Sequence, residues 1–275
     1  MTHSGERVHF PTIPDARGTL VVAEEHQLKF RIGSVGWANH ASLTGSTGEG
    51  FEHDEAVVTA LAGSLEVVVG SVNDVARIRL DRRDSGWHVP AGLPWAIENP
   101  SADAVSLVIA TAHNSTGPKP DVLTAPTGIS LPADDRAGWK MTWVNSNRQV
   151  PFRIRRAYYL HGVPAGATRG GHAHRELEQV IVSVSGSFEL VLHDGQHRTA
   201  MTLDRPDVGV YIPTGIWREL TSFSPGAVCV VLASLPYSER DYIWDFDQFG
   251  REVRAGQWAL TRDDGGESGG VSHQR

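Results

Sequence analysis

The chain carries one cysteine in 275 residues, Cys229. It sits in the apolar run AVCVVLAS with no second thiol to oxidise with, so a disulfide framework is excluded. No run of about 18 apolar residues is present, the least that crosses a bilayer as a helix. The first ten residues, MTHSGERVHF, lack the apolar core of a signal peptide. These absences predict a cytoplasmic protein with no membrane partner. Positive charge is not in excess: the formal net charge is −7, and the basic residues are scattered apart from Arg82/Arg83 and Arg153/Arg155/Arg156. That excludes the basic footprint of a nucleic-acid binder, while a local arginine cluster still suits an anionic small molecule. Long stretches of 3.6-residue apolar periodicity are also missing. What remains is 29 glycines and 15 prolines punctuating short Val/Ile/Leu runs, the pattern of an all-β fold.

The runs repeat. GSLEVVVG from Gly63 aligns with GSFELVLH from Gly186, an offset of 123 residues. The same offset pairs Pro90 with Pro213, Gly92 with Gly215, and AVSLVIA from Ala104 with AVCVVLA from Ala227. No gap is needed over about 50 positions, of which about 16 are identical, so the chain is a duplication of one folding unit. Each copy alternates short strands with Gly and Pro corners, and the HDGQ turn of the second copy marks a hairpin by its Asp-Gly pair. Such strands close into a small antiparallel barrel or jelly roll. The expected organisation is a first barrel over 1–113, a Pro/Gly/Ser-rich linker over 114–137, a second barrel over 138–260 and a disordered tail over 261–275.

The second copy holds the sharpest chemical signal. In GATRGGHAHRELEQ, Gly166 is followed after five residues by His172, then His174, then Glu178. Residues i and i+2 of a strand face one side, so both imidazoles are expected to project into one barrel mouth. The spacing G-x5-H-x-H-x3-E is the one with which metal-binding cupins bring two histidines and a carboxylate onto an ion, completed by a histidine from P-x-G-x2-H. Here that second motif ends in an arginine: Pro213, Gly215, Trp217, Arg218. A guanidinium has no lone pair to give and sets a positive charge beside any cation. We therefore expect no metal and no cofactor, with the histidines doing acid-base work near neutral pH. The first copy places Glu49, Phe51, Glu55 and Trp95 at the positions of His172, His174, Glu178 and Arg218. His53 and His88 fall elsewhere, so that barrel is expected to be a catalytically inert scaffold.

From about Pro151 to Phe249, RG-x-HAH, GxYIPxxxWRE, LAS and Y-x-x-x-DYI-x-x-x-x-x-F follow in order. This stretch resembles the sugar-nucleotide 3,4-ketoisomerases of the WxcM-like cupin group, and DARGTLVVAE at Asp15 to Glu24 is similar to that group's N-terminal strand. The resemblance implies two tandem cupin domains and isomerisation of a dTDP-4-keto-6-deoxyhexose to the 3-keto sugar without metal. It assigns His172 to taking the proton from carbon 3 and His174 to shuttling it towards carbon 4. It makes Tyr159, of the Tyr158/Tyr159 pair, and Arg169 residues that orient the substrate. Glu178, Tyr211, Trp217 and Arg218 complete the expected substrate-binding set. Since members of the group are single-barrel homodimers, the fused copies are expected to form a pseudo-dimer within one chain, with a homodimer of chains as a further level. Two other readings stand beside this one: a metal-dependent bicupin enzyme, and a protein that binds sugar nucleotides without turning them over. Epimerisation uses the same deprotonation next to a ketone and is not separated from isomerisation by sequence.

Overall fold

The computed structural model describes residues 5–40, 55–71, 74–111, 123–136 and 139–258. Glu49, Phe51, His53 and the tail over 261–275 lie outside them. The first half supplies β1 (Glu6–His9), β2 (Thr12–Asp15), β3 (Gly18–Glu24), β4 (Ser34–Asn39), β5 (Ala56–Ala62), β6 (Leu65–Ser71), β7 (Asp74–Leu80), β8 (Ser85–Val89), β9 (Trp95–Glu98) and β10 (Val105–Ala110). A one-turn helix α1 (Glu25–Leu28) follows β3. The second half supplies β11 (Thr127–Ser130), β12 (Ala133–Arg136), β13 (Trp139–Asn145), β14 (Arg156–His161), β15 (Arg169–His174), β16 (Gln179–Ser185), β17 (Phe188–His193), β18 (Arg198–Leu203), β19 (Val208–Ile212), β20 (Trp217–Thr221), β21 (Val228–Ala233) and β22 (Tyr242–Ile243). Helix α2 (Phe246–Arg254) ends the described chain, its first turn capped by Asp245, whose carboxylate accepts from Gln248 N at 2.6 Å. No helix among the described residues is long and apolar enough to cross a membrane.

Two seven-stranded sheets form the body, in the orders β1-β8-β5-β10-β4-β13-β12 and β11-β19-β16-β21-β14-β3-β2. Each faces a smaller sheet: β7-β6-β9 in the first half and β18-β17-β20-β15-β22 in the second. The result is two tandem cupin jelly rolls. The two large sheets follow one order, position for position, with their last two strands exchanged. Hairpin β2–β3 of the first half extends the second barrel, where Val22 stands opposite Tyr158. Strand β13 of the second half extends the first barrel, where Trp143 stands opposite Gly36.

The exchange revises the expected linker. Within 114–137, β11 pairs with β19 and β12 with β13. Both are outer strands, and β11 alternates half-buried and exposed residues. An edge strand of that kind tolerates the Pro, Gly and Asp that in sequence suggest a loop. The stretch 138–260 is likewise not confined to the second barrel, because β13 belongs to the first.

The backs of the two large sheets pack on each other, and this contact holds the largest core. Trp37, Val57, Leu107 and Ile109 from the first half meet Val180, Val182, Val230 and Tyr211 from the second, all at most 1% exposed. Trp37 Nε1 donates across the seam to Pro206 O at 2.8 Å. Each fully buried side chain of this size stabilises by about 1.5–3 kcal/mol, so the seam is a major share of the hydrophobic stabilisation. The inner strands β5, β10, β16 and β21 are buried along nearly their whole length, since their other face lines a barrel interior.

Candidate active site

A cavity of about 430 Å³ opens in the second barrel. One wall is β15, which contains a bulge: Gly170 pairs with Glu219, and the next paired residue is His172, opposite Arg218. Gly170 and Gly171 have φ of 78° and 72°, a region costly for residues with a Cβ. A Cβ on Gly170 would come within 2.8 Å of Arg218 O. Alternation along a regular strand would put Arg169 and His172 on opposite faces. The extra residue restores parity, and both line the cavity.

His172 is half-buried, with its ring centroid 4.8 Å from His174 and 4.9 Å from Tyr242. Burial, and then the charge of Arg218, hold its pKa well below the usual histidine value, so it stands neutral with a lone pair. Arg218 is 1% exposed, and none of its three guanidinium nitrogens has a hydrogen-bond partner among the described residues. Burial lowers its pKa to about 10, which leaves it charged at neutral pH. A buried cation with no partner is costly unless a bound group supplies one. Arg156, 2% exposed, also leaves Nε and Nη2 unmatched, and its Cζ lies 5.2 Å over the ring of Tyr158. Its Nη1 is 3.8 Å from Glu24 Oε1. Two guanidinium groups with unmatched nitrogens thus face the cavity beside a neutral base.

The exchanged hairpin completes the walls with Ile13, Asp15, Arg17, Leu20, Val22 and Glu24. Arg169 Nη1 lies 2.9 Å from both carboxylate oxygens of Asp15, an ion pair joining the halves at the mouth. On the opposite rim Trp244, 56% exposed, stacks on Tyr242 at 4.8 Å and 11° and lies 5.0 Å from His172. Helix α2 braces the outer side of this wall through Phe249, packed with Ala173 and Trp217.

Of the residues expected at the site, the structure gathers His172, Arg169 and Arg218 on the cavity and turns five away. Tyr159 lies in the seam between barrels, where its hydroxyl donates to Arg83 O, and its neighbour Tyr158 lines the cavity instead. Tyr211 lies in the same seam and donates to Glu178. Glu178 therefore does not join the two histidines, and no group of three or more metal-ligating side chains is assembled among the described residues. Trp217 is on the outer face of β20 under α2, because its neighbour Arg218 points in. His174 is fully buried behind the wall and held by Asp241 at 2.7 Å rather than open to the cavity. Sequence reasoning passed over Arg156, Tyr158, Gln179, Asp241 and Tyr242. Asp241 and Tyr242 stand in the DYI motif and Arg156 in the noted arginine cluster, which were the available signals.

A family profile described as FdtA, WxcM-like, C-terminal matches residues 4–116 and 127–254, most of the chain. The chain belongs to the WxcM-like family. The starts of the two matched stretches stand one repeat offset apart, so the profile follows the duplication. Among relatives of this WxcM-like protein, a TDP-4-oxo-6-deoxy-alpha-D-glucose-3,4-oxoisomerase of Aneurinibacillus thermoaerophilus is 41% identical over 110 residues, which cover 40% of this chain and 79% of that one. A solved 3,4-ketoisomerase from Helicobacter canadensis is 38% identical with a TM-score of 0.46, covering 47% of this chain and 97% of its own. QdtA, a sugar 3,4-ketoisomerase from Thermoanaerobacterium thermosaccharolyticum solved with TDP, is 33% identical with a TM-score of 0.47, covering 49% and 98%. Each of these relatives corresponds to about half of the WxcM-like chain described here.

Proposed function

We propose that this chain is a sugar-nucleotide 3,4-ketoisomerase that interconverts the 4-keto and 3-keto forms of a TDP-linked 6-deoxyhexose. The observation that carries the reading is a neutral histidine, His172, directly across the strand pair from Arg218, a buried guanidinium without a partner, on one cavity wall. Membership of the family and the activities borne by its relatives supply the substrate class. In the 4-keto sugar the hydrogen on carbon 3 is acidified by the neighbouring carbonyl. His172 takes that proton, and the electron pair moves to form the carbon 3–carbon 4 double bond while charge develops on the carbonyl oxygen. A charged donor aimed at that oxygen stabilises the enediolate far more in a dry cavity than in water. The hydroxyl proton of carbon 3 passes to the oxygen on carbon 4. Return of the first proton to carbon 4 leaves the 3-keto sugar, with atoms and charge balanced.

The halves of the chain act here as the two partners of a pseudo-dimer, since the hairpin of the first completes the cavity of the second. The exposed Trp244 and Tyr237 at the mouth offer flat surfaces for a nucleobase, and the arginines suit its diphosphate.

The test is proton NMR of the metal-stripped protein with TDP-4-keto-6-deoxyglucose in deuterated water. The 3-keto product should appear with deuterium at the exchanged carbon, and His172→Asn should lower kcat about 10²–10⁴-fold. Because the base is held neutral, kcat/KM should keep its plateau below the ordinary histidine pKa of about 6.5 and fall only at more acidic pH. Bound but unchanged substrate, or an acid limb centred at or above that value, rejects this assignment of the base.

A further inference from the structure

Behind the cavity wall runs a chain of hydrogen bonds that no part of the mechanism above requires. Asp241, in the 3₁₀ turn Glu239–Asp241, presents Oδ2 to His174 Nδ1 at 2.7 Å, while its Oδ1 accepts the backbone N–H of Glu176 at 2.6 Å. An ionised carboxylate only accepts, so the hydrogen of the histidine lies on Nδ1. Burial pushes the Asp241 pKa up, but the hydrogen bonds from His174 and Glu176 outweigh it and keep the carboxyl below its usual range. Burial and then Arg218 lower the pKa of His174, so its Nε2 carries a lone pair. That nitrogen is 3.4 Å from Gln179 Nε2, and the same amide nitrogen donates to Tyr158 Oη at 2.8 Å. Gln179 Oε1 has no hydrogen-bond partner among the described residues. The tyrosine oxygen accepts, and its own hydroxyl donates to no group among the described residues, which leaves its hydrogen to the cavity that Tyr158 lines.

We propose that Asp241 is a positioning residue: by holding His174 as the Nδ1–H tautomer it sets the amide of Gln179, and through that amide it aims the hydroxyl hydrogen of Tyr158 at an oxygen of the bound substrate. The opposite setting shows what is at stake. A hydrogen on His174 Nε2 would face the amide N–H groups and turn the amide over. Gln179 Oε1 would then accept from Tyr158, and the cavity would lose its donor. Asparagine at position 241 produces that setting, because the Glu176 N–H claims the amide oxygen and leaves the amide nitrogen to donate to His174 Nδ1. A histidine–aspartate pair is known to change tautomer under this exchange.

The tautomer assignment stands apart from the reaction, whereas its effect on turnover rests on the ketoisomerase reading. The experiment is a long-range ¹H–¹⁵N spectrum of the ring nitrogens of the ¹⁵N-labelled full chain, with kinetics of Asp241→Asn and Asp241→Glu. The wild type should show His174 protonated at Nδ1 and unprotonated at Nε2 at neutral pH. Asp241→Asn should reverse the two signals and lower kcat about 10²-fold with KM little changed, and Asp241→Glu should recover part of kcat. A wild-type His174 carrying its hydrogen on Nε2, or on both nitrogens, overturns the proposal without recourse to any variant. If Asp241→Asn does not fold, Gln179→Glu serves, since a carboxylate there must accept from Tyr158: kcat should fall and His174 should become doubly protonated. Unchanged kcat in that variant counts against the relay. Absence of turnover in the wild type with the expected tautomer rejects the ketoisomerase reading and leaves the tautomer assignment in place.

Discussion

Where the second barrel has Arg156, Tyr158, Gln179 and Arg218, the first has Ser34, Gly36, Ala56 and Trp95. Strand register makes the correspondence: Tyr158 pairs with Val231 as Gly36 pairs with Val108, and Arg156 with Ala233 as Ser34 with Ala110. The exchanged strands differ in the same sense. Val22 lies opposite Tyr158, whereas Trp143 lies opposite Gly36, and a Cβ added to that glycine would come within 2.7 Å of the indole. Trp95, Met141 and Ile97 are buried with Ala38 and Val58 in the interior of the first barrel. One backbone thus carries two interiors. In the first, bulky side chains pack against small ones. In the second, buried polar groups without full hydrogen bonding surround a space. Unpaired buried guanidinium groups cost stability, so of the two interiors the second is the costlier to maintain.

The difference can be erased from one side with Arg218→Trp, which gives the second barrel the residue of the first. Turnover should fall at least about 10³-fold, while the midpoint of denaturant unfolding holds or rises, because a buried unpaired charge is lost. A variant that unfolds instead would show that Arg218 is needed for the barrel itself. A smaller effect separates the two faces of β14. Tyr158→Phe should lower kcat about 10²-fold. Tyr159→Phe should leave kcat unchanged and cost about 1 kcal/mol in unfolding titrations, since the carbonyl of Arg83 loses its donor. Equal kinetics for the two would refute the assignment of faces. Trp95→Ala, in the first barrel, belongs with Tyr159→Phe in sparing turnover. It should leave the kcat of the folded protein intact and destabilise by about 3–5 kcal/mol, and a loss of kcat would mean that the first barrel takes part in more than support.

The repeat, the all-β class and the two histidines were legible because they depend on local pattern: alternating runs, corner glycines and an H-x-H spacing. The choice between Tyr158 and Tyr159 was not, since RAYYLH is buried on both faces of β14, and no polar residue marks which side is the cavity. Glu178 failed for a related reason. Its spacing from His174 matches a metal-binding motif, but the chain turns before β16 and sends the carboxylate to Tyr211 in the seam. The exchange of β3 and β13 left no trace either, because a strand satisfies the same alternation whichever copy of the barrel it joins. The bulge at Gly171 was hinted at by the Gly170/Gly171 pair, yet its effect on the parity of Arg169 and His172 emerges only from the register with β20.

The hairpin β2–β3 finds its partner β14 only after the whole first barrel has been made. On a ribosome adding about 5–20 residues per second, the earliest strands to emerge wait on the order of ten seconds with an unpaired edge before their place in the structure exists. Pairings so distant in sequence also close slowly once the chain is complete. The two halves are therefore bound to one order of birth: the first cannot be finished without the second, and a chain stopped between them leaves both its barrel and its hairpin open to pairing with another molecule.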